Sequence, residues 1–240
     1  MIITLKDGSK KEYAEAKSVI DVAFDISEGL ARAACAGEVD GEVVDLRTVL
    51  DKDCELNILT ARDEKGLAVL RHTASHVMAE AVQTLFPEAK VAIGPSIDTG
   101  FYYDFECQSF SRDDLDAIEK EMKKIAKSGK KIIRKEISKE EALEMFKDDE
   151  YKLDLINGLE DGTITCYEQG DFTDLCRGPH VDNVKLCRNF KLIRHSGAYW
   201  KGDSKNKVLQ RIYGVCFPTK EELEEHLQLL EEAKERDHRK

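Results

Sequence analysis

Two pairs of side chains in this sequence have the types and the spacing to meet at one chemical site. His72 and His76 lie four residues apart, which puts both imidazoles on one face of a helix and within reach of a common point. Cys176 and His180 show the same spacing in the segment Cys176-Arg-Gly-Pro-His180, where Gly178-Pro179 imposes an irregular backbone. A loop thiol and imidazole facing a helical histidine pair offer four donors to a tetrahedral metal. Without a metal, they offer a polar pocket that positions a water by hydrogen bonds. Each pair alone also has a plain reading: surface histidines on a helix, and an inward-packed thiol beside an ordinary turn residue. The helical pair is not a zinc-protease motif, because His72-Thr-Ala-Ser-His76 carries Thr73 where that chemistry needs a general-base glutamate. A catalytic zinc also needs an open position, which four protein ligands fill unless one stands aside.

Other groups can supply charge to such a site. Lys152, in Tyr151-Lys-Leu-Asp154 after an acidic stretch, reads as a surface lysine, or, if buried, as one whose lowered pKa lets it handle protons. Asp174, two residues before Cys176, can orient a neighbour or bind an amino group, or with Asp171 simply make a turn. Aromatic residues cluster with glycine in Ile93 to Asp104 and in Gly197 to Asp203. They serve equally as stacking surfaces for unpaired bases or as core strands with tight turns.

The elements that must position these residues divide into two parts. Residues 1–61 read as a small α+β unit. Ile3 and Leu5 alternate into the turn at Asp7-Gly8, and a return strand follows through Tyr13. Ser18 caps a helix carrying Val19, Val22, Ala23 and Ile26, with Gly29 as its stop. Two further strands flank the Val39-Asp40-Gly41-Glu42 turn and cover Leu56 to Leu59, the order of a ubiquitin-like β-grasp. Ala61 to Gly66 reads as a linker. A second unit, residues 62–218, opens with a helix from Leu67 to Phe86 that Pro87 closes. Leu70, Ala74, Val77, Ala81 and Leu85 form its apolar stripe, opposite His72 and His76.

Ser111 with Asp114 signals a capping box for a helix that Gly129 stops. A strand follows to Ile137, and Ser138 with Glu141 signals a second box, for a helix through Phe146. Past Gly158 the pattern is of strands, at Ile164 to Tyr167, Lys191 to His195 and Val208 to Phe217. Thr219 with Glu222 opens a last helix over 219–240. It has no stop signal, so the chain is expected to continue into a longer protein.

Composition narrows the class. The chain has 240 residues and no apolar run of the ~18 needed for a membrane span, so a cytosolic protein without a membrane partner is expected. Its seven cysteines are odd in number and mostly sit in apolar runs, as reduced thiols do. The net charge of −11 opposes phosphate binding in bulk, although basic residues gather between Lys120 and Lys135.

Four segments carry a resemblance: Ile93-Gly-Pro with Gly100-Phe-Tyr-Tyr-Asp104, Asp174-Leu-Cys-Arg-Gly-Pro-His180, Gly197-Ala-Tyr-Trp200 and Leu209-Gln-Arg-Ile-Tyr-Gly214. In order and spacing, together with the histidine pair, the chain resembles the N-terminal half of bacterial-type threonyl-tRNA synthetases. The resemblance implies a TGS β-grasp domain over 1–61, then over 62–218 the α+β editing domain shared with alanyl-tRNA synthetases, then a linker helix. The ligase core, with its ATP, Mg and zinc, would lie beyond Lys240, as would the regions that make a homodimer. Two positions depart from the family pattern. Val184-Lys185 stands where a Thr-Gly turn is common, at the exit of the site loop. Lys201 stands where arginine often follows Gly-Ala-Tyr-Trp, and it should still meet phosphate as a point charge.

The implied activity is hydrolysis of mischarged seryl-tRNA(Thr), needed because one methyl group gives only ~1 to 3 kcal/mol of discrimination. The partner is tRNA(Thr), above all its aminoacylated 3′ end. By resemblance, His72 and Lys152 hold and activate the attacking water. His76, Cys176 and His180 shape the pocket and contact the seryl group or terminal adenosine, Asp174 binds the amino group, and Tyr103 lines the wall. No cofactor is required. If a zinc were present, its ligands would be His72, His76, Cys176 and His180, as in free-standing alanyl editing proteins. The remaining alternative is a non-catalytic RNA-binding or regulatory TGS module.

Overall fold

The computed structural model describes residues 1–239. The first unit comprises β1 (Ile2–Leu5), β2 (Lys10–Glu12), β3 (Lys17–Ser18), α1 (Val19–Ile26), α2 (Glu28–Ala33), β4 (Ala34–Val39), β5 (Glu42–Val44), β6 (Val49–Leu50) and β7 (Cys54–Thr60). Its five-stranded sheet has the order β2-β1-β7-β4-β5, with β1 and β7 parallel and the other pairs antiparallel. This is a ubiquitin-like β-grasp. Ile3, Val19, Val22, Leu46 and Leu56 fill its core. The hairpin turn and the Ser18 cap form as predicted, the Ser18 side chain accepting from the Asp21 N–H.

Gly29 does not stop the helix. The chain breaks at Ser27, which is extended (φ −167°, ψ 150°), and its side chain caps a second helix that runs through Gly29. The short β3 and β6 pair has no counterpart in the sequence reading, because two-residue strands carry no periodicity.

The second unit begins with α3 (Glu64–Leu85), then β8 (Lys90–Val91), β9 (Gly100–Glu106), α4 (Arg112–Ser128), β10 (Ile133–Ile137), α5 (Lys139–Met145) and α6 (Glu150–Asn157). It continues through β11 (Ile164–Gln169), β12 (Phe172–Leu175), β13 (Phe190–Tyr199) and β14 (Val208–Cys216), and α7 (Lys220–His238) follows. Two antiparallel sheets result, β13-β14-β9-β8 and β10-β11-β12. The helix starts and stops follow local chemistry. Ser111 and Asp114 form the full capping box of α4, and Gly129 ends that helix in the left-handed region at φ 64°. Ser138 and Thr219 cap α5 and α7 by accepting from the N–H of Glu141 and Glu222.

The long helix α3 is central. It starts three residues earlier than predicted, at Glu64, and is buried on nearly all sides. The predicted stripe is therefore not its only inward face: Leu85 is exposed, while His76, on the opposite side, is buried. One continuous core joins α3, α4 and β9 and includes Cys35, Ala36 and Leu59 of the first unit, so the two units are packed together. Helix α6 and strand β12 were not visible in the sequence. All seven cysteines are free. Among the described residues, no helix is long and apolar enough to cross a membrane.

Candidate functional site

Helix α3 presents His72 and His76 to the loop that leaves β12, and that loop carries Cys176 and His180. The His72 Nε2 lies 3.0 Å from the Cys176 Sγ, and the His180 Nε2 lies 3.3 Å from the same sulfur. His180 stacks on His72 with ring centroids 4.5 Å apart, and His76 stands 4.2 Å from His180. One donor atom from each of the four residues lies within 4.8 Å of all the others. The pairs read from the sequence therefore form one cluster. His76 and His180 are buried at its floor, and the partly exposed His72 and Cys176 stand at its mouth.

The loop owes its course to small and rigid residues. Gly178 has φ +71°, and a Cβ there would collide with the Tyr167 hydroxyl. The Gly178 N–H donates to the Cys176 Sγ at 3.2 Å. Past the site, Val184 is buried and the turn at Val184-Lys185 is closed by the Lys185 N–H donating to the Asn183 Oδ1. The departure from the family pattern thus leaves an ordered exit.

A second polar group lies beneath the first. The Lys152 ammonium is 2.6 Å from the Asp174 Oδ1, in the geometry of an ion pair, and it donates to the Ala92 carbonyl (2.6 Å) and the Tyr103 hydroxyl (3.1 Å). The Tyr103 hydroxyl donates to the Asp174 Oδ2 at 2.6 Å, and the His76 Nε2 stands 3.5 Å from that oxygen. Both Lys152 and Asp174 are almost wholly buried. Lys152 is thus no surface residue. It sits on α6, whose N-cap Asp149 accepts from the N–H groups of Tyr151 and Lys152. Its ammonium is enclosed by the Ala92 carbonyl, the Tyr103 hydroxyl and the Asp174 carboxylate, so it meets the cluster through Asp174.

Electrostatics set the protonation states. Burial pushes the His72 imidazole below its ordinary value despite the opposing pull of Asp174, and pushes His76 down to about 3. Burial, then the neighbouring His76 and His72, take His180 well below 6.5. The imidazoles are therefore neutral at pH 7. Burial and then the Asp174 charge raise the Cys176 thiol to about 12, so it is a thiol and no ready nucleophile. Burial alone would raise Asp174, but Lys152 and His76 outweigh it and hold the carboxyl below the usual range.

Several site residues escaped the sequence reading. The Thr73 hydroxyl donates to the Val69 carbonyl and stands 2.9 Å from the His180 Nδ1. Its oxygen is then free to accept from that nitrogen, an arrangement that turns the His180 Nε2 lone pair toward Cys176. Ser75 donates to the Gly94 carbonyl. The only local signal for Thr73 and Ser75 is their place between the two histidines. Among the aromatics, Tyr103 faces the site, whereas Trp200 packs on Tyr151 at 5.0 Å and donates to Asp154. Lys201, expected to meet phosphate, lies 2.8 Å from the Asp154 Oδ2.

Comparison with known proteins places these features. Residues 1–60 match the model of the TGS domain, and residues 164–213 match that of the threonyl and alanyl tRNA synthetase second additional domain. The fold and site thus define the class: a TGS domain joined to a second additional domain of the threonyl and alanyl synthetase kind. Within that class the curated proteins it is similar to are threonine–tRNA ligases. It is 53% identical over 238 residues to the threonine–tRNA ligase of Desulfatibacillum aliphaticivorans, covering 99% of this chain and 37% of that protein. It is 54% identical over 240 residues to that of Clostridium perfringens (strain SM101 / Type A), again covering 99% and 37%. With that of Clostridioides difficile (strain 630) it shares 54% identity over 242 residues, covering 99% and 38%. The chain therefore spans little more than a third of the length of these curated relatives.

Proposed function

We propose that the second unit hydrolyses seryl-tRNA(Thr), removing serine wrongly attached by a protein that joins threonine to tRNA(Thr) with ATP. One observation carries this reading. His72, His76, Cys176 and His180 converge within 4.8 Å above a buried Lys152–Asp174 pair, in a chain similar throughout to threonine–tRNA ligases.

The neutral His72 at the mouth is the proton acceptor. Water attacks the ester carbonyl carbon as its proton passes to the His72 imidazole. The tetrahedral intermediate then loses the ribose oxygen, which takes that proton back, and the products are serine and tRNA with a free terminal hydroxyl. Asp174, kept ionised by Lys152, lies 1% exposed beneath the cluster, so it acts on the site through His76, 3.5 Å from its Oδ2, rather than by meeting an aminoacyl ammonium directly. Lys152 is thus a positioning residue, acting on the site through Asp174. His76 and His180 shape the floor, and Tyr103 fixes Asp174 from the wall. A covalent route through Cys176 is opposed by the high pKa of its thiol.

The donor set also favours a second reading, a zinc-dependent deacylase. Three imidazoles and a thiol within 4.8 Å have the types and the closeness of a structural or catalytic zinc set. His72, His76, Cys176 and His180 would hold the metal, which would supply Lewis-acid polarisation when bound. A metal analysis of the purified chain separates the two enzymatic readings. Incubation with seryl-tRNA(Thr) tests both: the parent chain releases serine and His72→Ala does not. Equal release by the two removes the assignment of His72.

A further inference from the structure

We propose that Asp45 and Arg47, on the TGS domain, are positioning residues for the histidine–cysteine site, clamping the loop that carries Cys176 and His180. This rests on the editing reading for its catalytic consequence. The Arg47 guanidinium donates to the carbonyls of His180 (3.0 Å), Val181 (2.9 Å) and Ile132 (2.7 Å). Asp45 accepts from the His180 N–H (3.2 Å) and the Tyr167 hydroxyl (2.8 Å), and it pairs with Arg47 at 3.1 Å. Both peptide groups of His180 are therefore held by another domain.

Tyr167 extends the clamp. Its ring stands 4.4 Å from the His180 ring, and its hydroxyl fills the space beside Gly178. From the opposite side, Thr73 meets the His180 Nδ1 and accepts from the Val181 N–H. The imidazole is thus set between α3 and the TGS domain, which fixes its 3.3 Å approach to the Cys176 Sγ. Domain cohesion alone does not require this. Cys35, Ala36 and Leu59 already bury an apolar contact with the second unit. Arg47 instead satisfies three carbonyls of the site loop and the segment beside it, a task for a planar fork that a lysine point charge does not perform.

The test uses the full chain with Arg47→Ala, Arg47→Lys and Asp45→Asn. Two readouts apply: hydrogen exchange across residues 176–182, and single-turnover hydrolysis of seryl-tRNA(Thr). In Arg47→Ala, exchange over 176–182 should rise at least about tenfold while that of the β4–β7 ladder stays at the parent rate. The hydrolysis rate at saturation should fall on the order of 100-fold, with the half-saturating concentration little changed. Millimolar guanidinium should restore part of that rate, and Arg47→Lys should remain impaired. Parent-level exchange and hydrolysis in Arg47→Ala would overturn the clamp. If Arg47→Ala does not fold, Asp45→Asn decides by the same readouts. If the parent chain hydrolyses nothing, the editing reading fails on its own, and the exchange arm alone decides the clamp.

Discussion

Replacing Lys152 by methionine isolates the buried pair beneath the site. The substitution keeps the aliphatic stem and removes the ammonium, leaving Asp174, 1% exposed, without the cation 2.6 Å from its Oδ1. Breaking a buried pair by deleting one partner costs about 3–5 kcal/mol. For a unit of this size that is a fall in Tm of about 10 °C at pH 8. The deficit should also shrink on acidification. In the parent, Lys152 and His76 hold the folded-state Asp174 below its unfolded value of about 3.8, so its stabilisation persists at neutral pH and disappears only as pH falls through the folded value. Without Lys152, burial raises the folded value above the unfolded one. The uncompensated charge is then costly at neutral pH, and protonation relieves it as pH falls. Urea unfolding followed by the single tryptophan, Trp200, reports on this unit. A Lys152→Met chain within about 1 kcal/mol of the parent at pH 8, or a deficit equally large at pH 4, refutes the account of the pair.

Three further outcomes follow from the geometry. The acid limb of the hydrolysis rate should lie below pH 6.5, because burial lowers His72 and the neutral imidazole persists until pH falls through that lowered value; a rate already lost at pH 6.5 contradicts this. Gly178→Ala combines a positive φ with a collision against Tyr167, so urea unfolding should show a loss of about 2–4 kcal/mol and a parent-like curve would be inconsistent. Cys176→Ala should leave a measurable part of the hydrolysis rate, since its thiol is held protonated near 12, whereas complete loss with the metal-free protein would point to a nucleophilic thiol.

Much of this was legible in the sequence because local chemistry decided it. Ser18, Ser111, Ser138 and Thr219 announce helix starts with short side chains that reach their own backbone, and each forms its cap. The i, i+4 histidines and the Cys176–His180 pair needed only a helix and a bent loop to meet. What escaped depends on partners distant in sequence. Lys152 looked solvated because nothing local shows that Asp174 and Tyr103 will enclose it. Helix α6 follows an acidic stretch and spans eight residues, too few for a clear apolar stripe. Asp45 and Arg47 carry no local signal, since their partners on the site loop lie more than 130 residues away. Gly29 misled because Ser27 supplies a better break, an extended residue whose side chain begins the next helix.

The activity proposed for the cluster of His72, His76, Cys176 and His180 is hydrolysis of the wrong aminoacyl ester. The most direct measurement is single-turnover hydrolysis of seryl-tRNA(Thr) and threonyl-tRNA(Thr) by the purified chain, side by side with His72→Ala. The account predicts rapid release of serine, slow release of threonine, and a serine rate lowered at least about 100-fold in His72→Ala. Release of both amino acids at the uncatalysed rate, or a serine rate unaffected by His72→Ala, would contradict it.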